Sequence, residues 1–206
     1  MNIEVITVGP LAENCIILSG KENKCIIFDP GADEGKIDKF LDENSLIPVK
    51  IINTHGHYDH IGAIKYFQDK YSISFYLHKK DEFLIKSDIL SSIFGMISIK
   101  KPKIDEYLED GMIIDFNGSP IKVLYTPGHT QGGVCFYIED AGAVITGDTL
   151  FHLAVGRTDF PGGNHEQLIL SIKNKLLNLP DETKVYPGHD QSTTIGFEKE
   201  NNPYLK

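Results

Sequence analysis

The sequence predicts an α/β protein, a four-layer αβ/βα sandwich in which two mixed β-sheets pack face to face with helices outside. Three observations carry this. Short apolar, β-branched runs bounded by Gly, Pro, Asn and Asp recur along the chain. Amphipathic segments with helical spacing fall between them. The order strands, helix, strands, helix runs over two halves of similar style without a residue-level repeat. At 206 residues the chain suits one sizeable core. No internal linker is long enough to divide it, so residues 1–206 are expected to form a single domain.

The elements follow in order. Ile3 to Val8, Cys15 to Leu18 and Lys24 to Phe28 read as strands of a meander that ends at Asp29-Pro30-Gly31. From Asp33 to Asn44, Ile37, Phe40 and Leu41 recur at helical spacing among charges, after a candidate cap. Val49 to Asn53 is a compact apolar strand, followed by a polar loop and a helix through Ile61, Ile64 and Phe67 to about Asp69. Ile73 to Leu77 is a further strand, Asp81 to Met96 a helix, and Lys100 to Glu109 a charged connection suited to covering one side of a cleft. In the second half, strands are expected at Met112 to Phe116, Ile121 to Tyr125, Gly133 to Ile138 and Ala143 to Thr146. A helix from about His165 to Leu179 stops at Pro180, and Lys184 to Tyr186 is the final strand.

Composition narrows the function. With 41% apolar and 24% charged residues and no run of about 18 uncharged apolar residues, a membrane span is not expected. The first ten residues lack the basic and apolar segments of a secretory signal, which points to the cytoplasm. A net charge of −9 with pI near 5.3 works against nucleic acid, which needs clustered Lys and Arg. The three cysteines, Cys15, Cys25 and Cys135, stand in apolar runs without metal-finger or redox spacing and read as core residues.

Five of the eight histidines, with Asp29, Asp59 and Asp148, fall at the mouths of predicted strands, where loops leave a rigid scaffold. The densest cluster is Thr54-His55-Gly56-His57-Tyr58-Asp59-His60. His55 and His57 are two apart, so in extended backbone both imidazoles point to one side and can share a metal. Asp59 and His60 lie where a helix begins, which aims a carboxylate and a third imidazole at a neighbouring ion. Asp as a helix cap and His as a satisfied polar residue are the ordinary alternatives, but three His and one Asp within six positions favour metal. Three further candidates, His129, Asp148 and His189, each follow a glycine and a predicted strand: Pro127-Gly128-His129-Thr130, Thr146-Gly147-Asp148-Thr149 and Pro187-Gly188-His189-Asp190.

This pattern, spanning Asp29 to His189, resembles the metallo-β-lactamase superfamily. Gly147-Asp148-Thr149-Leu150-Phe151, the run from Gly156 to Gly163, Leu11-Ala12-Glu13-Asn14-Cys15 and Asn202-Pro203-Tyr204-Leu205 resemble its short bacterial glyoxalase II-like members. The resemblance implies that His55, His57 and His129 hold one divalent ion, that Asp59, His60 and His189 hold a second, and that Asp148 bridges them. Asp29 would stand behind the ligands and fix one of them or a nearby backbone group. It also implies hydrolysis of a small-molecule thioester, of the hydroxyacylglutathione type, by a metal-bridging hydroxide, with Asp59 both ligating and orienting the nucleophile. A shell of His and carboxylate without Cys fits zinc best and accommodates iron or manganese. Asp148 disfavours β-lactam hydrolysis, since β-lactamases of the superfamily generally lack a bridging aspartate there. Full-length glyoxalase II enzymes carry a C-terminal helical domain with basic contacts to glutathione, whereas this chain ends soon after His189, which leaves the thiol carrier open.

Two rivals stand beside this reading. A persulfide dioxygenase would use a mononuclear iron site at His55, His129 and Asp148, and Asp190 departs from the glycine common after His189 in the hydrolases. A non-catalytic metal-binding module would keep the ligands without turnover. Arg157, the single arginine, is expected to serve a carboxylate, either Asp159 or one on a substrate. His152 is a candidate for substrate contact, and His78 and His165 read as structural or solvated.

Overall fold

The structure is a computed structural model that describes residues 1–86 and 101–206. The chain divides into two compact units, Met1–Tyr107 and Leu108–Lys206, and the described residues form two mixed six-stranded sheets and a small hairpin.

In the first unit, β1 (Asn2–Val8), β2 (Glu13–Ser19) and β3 (Lys24–Phe28) pair antiparallel, as short connections require. Helix α1 (Glu34–Glu43) then allows β4 (Ile47–Ile52) to return parallel to β3, and β5 (Ser74–His78) is parallel to β4. The sheet order is β1-β2-β3-β4-β5-β6, with β6 at Glu106–Leu108. The near-continuous apolar runs of β2 and β3 are buried on both faces. Cys15, Ile17, Cys25 and Ile27 join Ile37, Leu41, Ile64 and Phe67 in one core cluster.

Three expectations change here. The single helix ending near Asp69 is two pieces, α2 (Tyr58–Ile61) and α3 (Ile64–Tyr71). Ala63 N donates to Pro30 O at 3.0 Å, and a Cβ on Gly62 would lie 2.2 Å from Gly31 O, so the turn after β3 breaks the helix. Asp33 does not cap α1: it is left-handed, and its Oδ2 accepts from Gly9 N at 2.9 Å. The charged connection contains β6 and is tied to β5 through Asp105, whose N donates to Phe75 O and whose Oδ2 accepts from Phe75 N. Of the helix expected from Asp81 to Met96, α4 (Glu82–Lys86) is described, and the remainder lies outside the described residues.

In the second unit the sheet order is β14-β13-β10-β9-β8-β7. Strands β7 (Ile113–Phe116), β8 (Ser119–Tyr125), β9 (Val134–Ile138) and β10 (Ala143–Gly147) pair antiparallel in sequence. β13 (Lys184–Pro187) joins β10 in parallel. Helix α5 (His165–Ser171), capped by Asn164 Oδ1 accepting from Gln167 N, loosens into a π-helical turn at Ile172–Leu176. Leu168, Ile172 and Leu176 pack with Cys135, Val144 and Val185. A small hairpin of β11 (Leu150–Phe151) and β12 (Ala154–Val155), the two-residue β14 (Thr193–Thr194) and a closing helix α6 (Ile195–Asn201) were not expected from periodicity. The strands are too short to show a period, and α6 is anchored by polar contacts: Thr194 Oγ1 accepts from Phe197 N, and buried Glu198 accepts from Thr193 and Asn202 side chains.

All three cysteines are free and buried. Burial pushes the Cys25 thiol up to about 12 and raises Cys15 as well. Among the described residues no helix is long and apolar enough to cross a membrane. The thiols should therefore resist maleimide at pH 8 in the folded protein and react in urea; labelling counted by mass spectrometry checks this. Phe67→Ala should cost about 3–5 kcal/mol, seen as a lower urea midpoint at unchanged slope.

Candidate metal centre

In the first unit the segment Asn53 to His57 leaves β4 and enters α2. The adjacent parallel strands β3 and β4 end side by side: Phe28 stands opposite Ile52, and Asp29 N donates to Ile52 O at 3.3 Å. Asp29 thus lies beside Thr54. Its Oδ1 accepts from Thr54 N at 2.7 Å, and its Oδ2 accepts from Thr54 Oγ1 at 2.6 Å. The same Oδ2 lies 3.1 Å from His60 Nδ1. All these groups are buried.

Proton counting assigns the ring nitrogens. A carboxylate only accepts, so the Nδ1 of His60 carries the proton facing Asp29, and Nε2 holds the lone pair. Thr54 has one hydroxyl proton, committed to Asp29. Its oxygen therefore accepts from His55 Nδ1, 3.0 Å away, and His55 likewise offers Nε2. The His55 ring lies 4.8 Å from that of His57 and 4.1 Å from that of His60, centroid to centroid. Asp59 Oδ2 is 3.9 Å from His60 Nε2. The first unit thus gathers four of the predicted ligands.

Glycines permit this crowding. A Cβ on Gly31 would lie 1.6 Å from Asp59 O, and one on Gly56 would meet Asp81 and Leu84 at 3.0–3.3 Å. Periodicity did not point to two buried acids that support the cluster. Asp81 Oδ2 accepts from Gly56 N at 3.0 Å, and Glu13 Oε1 lies 3.7 Å from His60 Nδ1. Glu13 belongs to the Leu11–Cys15 run singled out earlier, which was the available signal.

In the second unit His129 follows β8, Asp148 follows β10 and His189 follows β13. Asp148 Oδ2 lies 3.5 Å from His129 Nε2 and 3.7 Å from His189 Nε2, so one carboxylate oxygen stands between two imidazoles. His129 Nδ1 donates to the Arg157 carbonyl at 2.7 Å, which leaves Nε2 as the donor to an ion. Gly128, at φ 142°, admits Leu168, whose Cα would lie 2.3 Å from a Cβ there; Gly156 admits the Asp148 carbonyl, 1.9 Å from such a Cβ.

The side chain of Arg157 is engaged elsewhere. It forms a two-pronged pair with Asp159 at 2.7 Å, lies over the Phe160 ring and holds the Asp159 carboxyl down to about 2. Its backbone carbonyl is the part that reaches a predicted ligand. His152 stacks on Phe197 and lies 3.6 Å from Glu198 Oε1. His78 Nδ1 accepts from Lys80 N in the turn after β5.

The donor chemistry suits a divalent ion. Imidazoles fixed by partners at Nδ1, beside carboxylates and without thiolate, are the ligand type of zinc, iron and manganese. Thr54→Val removes the acceptor for His55 Nδ1 at nearly constant volume. It should lower metal affinity about 10–100-fold in a chelator competition, with ¹⁵N NMR showing a mixed tautomer at His55.

A profile of the metallo-beta-lactamase superfamily matches residues 8–189. The chain is 38% identical over 200 residues to the probable metallo-hydrolase YqgX of Bacillus subtilis, covering 96% of this chain and 94% of that protein. It is 37% identical to the hydroxyacylglutathione hydrolase GloC of Haemophilus influenzae, covering 100% and 98%. Among solved structures it is similar to the BLEG-1 B3 metallo-beta-lactamase (TM-score 0.95, 35% identity, 100% of both chains). It is also similar to TTHA1623 in a di-iron-bound form (TM-score 0.89, 38% identity, 98% and 100%). The profile covers most of the chain and the relatives align along nearly their whole length, so the expected α/β fold is the metallo-β-lactamase fold, and the chain belongs to the metallo-β-lactamase superfamily.

Proposed function

We propose that the chain is a thioester hydrolase of the hydroxyacylglutathione hydrolase type, working with two divalent ions, zinc by preference. In this reading His55, His57 and His129 would hold one ion, Asp59, His60 and His189 would hold the other, and Asp148 would serve both. The observation that carries it is the commitment of Nδ1 in His55, His60 and His129 to Thr54, Asp29 and the Arg157 carbonyl, which leaves each Nε2 as a metal donor. The name of the Haemophilus relative supports the thioester class.

Bound ions of this kind lower the pKa of a coordinated water to near neutrality and polarise a carbonyl. The chain supplies position and protection. Asp59 orients the attacking water and takes part in its deprotonation. Asp148 holds its carboxylate between two imidazoles. Burial of His55, His57 and His60, none more than 5% exposed, fixes their rings and strengthens their hydrogen bonds. Because Arg157 is paired with Asp159, glutathione carboxylates would meet no uncommitted arginine, so another small thiol is an equal carrier.

The similarity to a protein named a B3 metallo-beta-lactamase favours β-lactam hydrolysis as a second reading, against which Asp148 weighs. Metal analysis beside assays with lactoylglutathione, simple thioesters, a β-lactam and glutathione persulfide separates the candidates. Thioester turnover should vanish on chelation and return with zinc. Oxygen uptake with the persulfide, or turnover of the β-lactam alone, would overturn the proposal. Asp59→Ala at full metal loading should lower kcat about 10²–10⁴-fold; unchanged turnover would remove Asp59 from the chemistry.

A further inference from the structure

The first unit contains a cavity of about 220 Å³ that shares Asp59 and Glu13 with the candidate metal cluster. Its apolar wall comes from Val8 and Leu11 at the β1–β2 turn, Ala32 after β3 and Tyr58 at the start of α2. The turns on its two sides are tied together. Gly9 N donates to Asp33 Oδ2 at 2.9 Å, and Lys36 Nζ to Thr7 O at 2.7 Å. The space is thus formed by the fold before any ligand enters.

Size and charge select the occupant. Sites for whole drug-sized ligands run to about 300–1,000 Å³, so this one takes a fragment of a substrate and not a tripeptide. Among the described residues no lysine, arginine or histidine lines it, whereas Glu13, Asp33, Glu34 and Asp59 do. An apolar wall beside carboxylates accepts an uncharged group and repels an anionic one.

We propose that this cavity is the acyl subsite: it receives a short, uncharged acyl chain, plain or hydroxylated, and rejects acyl groups that end in a carboxylate. This rests on the thioesterase reading above. The group bonded to the carbonyl carbon must lie next to the residue that orients the attacking water, and Asp59 is both that residue and part of the cavity. The larger thiol portion then extends away from it.

The test uses zinc-loaded full-length protein and thioesters of one thiol, N-acetylcysteamine. Butyryl and lactoyl esters should exceed the succinyl ester in kcat/KM by at least 100-fold. Ala32→Leu, which fills the space, should lower the butyryl-to-acetyl ratio at least tenfold. Leu11→Trp, on an exposed turn, should act in the same direction should Ala32→Leu fail to fold. Glu34→Lys should raise the succinyl-to-butyryl ratio at least tenfold. Equal use of butyryl and succinyl esters, or ratios unmoved by these variants, would overturn the assignment.

A binding measurement separates this outcome from failure of the thioesterase reading. In amide NMR, butyramide should shift the signals of residues 8–12 and 31–34 while succinamate does not, whether or not any thioester is hydrolysed. Shifts confined to other regions, or equal shifts by both probes, would show that the cavity does not select uncharged acyl groups.

Discussion

The buried carboxylate of Asp29 is the interaction on which the first half of the candidate centre depends. Burying a carboxylate costs several kcal/mol unless donors surround it, and three converge here: the backbone N and hydroxyl of Thr54 and the Nδ1 of His60. Satisfying Asp29 thereby locks the loop that carries the histidines. Through one hydroxyl proton the same group also determines which nitrogen of His55 is offered to an ion. Stability and ligand chemistry share the same hydrogen bonds, so changing one changes the other.

Parallel pairing brings these groups together. Where two parallel strands end at one level, the residues that follow emerge side by side, the usual origin of sites at carboxyl ends of strands. β3 and β4 do this for Asp29 and Thr54. β10 and β13 do it for the second half, where Gly147 stands opposite Pro187 and Gly188 N donates to Gly147 O at 2.9 Å, with Asp148 and His189 following. Each unit therefore uses parallel pairing inside a mixed sheet to bring residues distant in sequence side by side. Glycines at the same turns remove the Cβ atoms that would hold the backbones apart.

Charge is distributed in keeping with this. The chain is acidic overall, and the cavity beside Asp59 is acidic too. The one arginine is engaged with Asp159 and Phe160. Among the described residues the cavity wall offers acceptors and no cation, which agrees with the proposed substrate whose reacting end is neutral.

Much was legible in the sequence because it is local. The run from Thr54 to His60 places four donor side chains within one short loop by spacing alone, and the Gly-His and Gly-Asp pairs mark strand exits by their turn chemistry. The β-branched runs located most strands to within two residues. What the sequence could not show is carried by partners far apart in the chain or by backbone atoms that have no residue signature. Asp81 and Glu13 act from 25 and 47 positions away from Gly56 and His60. The acceptor for His129 is a carbonyl, indifferent to its being Arg157. Helix α2 stops because the turn at Gly31 packs against Gly62. Residue types and their local spacing thus determined the family and the ligand candidates; tertiary structure decided which ring nitrogen of His55, His60 and His129 is left for a metal, because a tautomer is set by whatever hydrogen-bond partner folding brings to the other side of the ring.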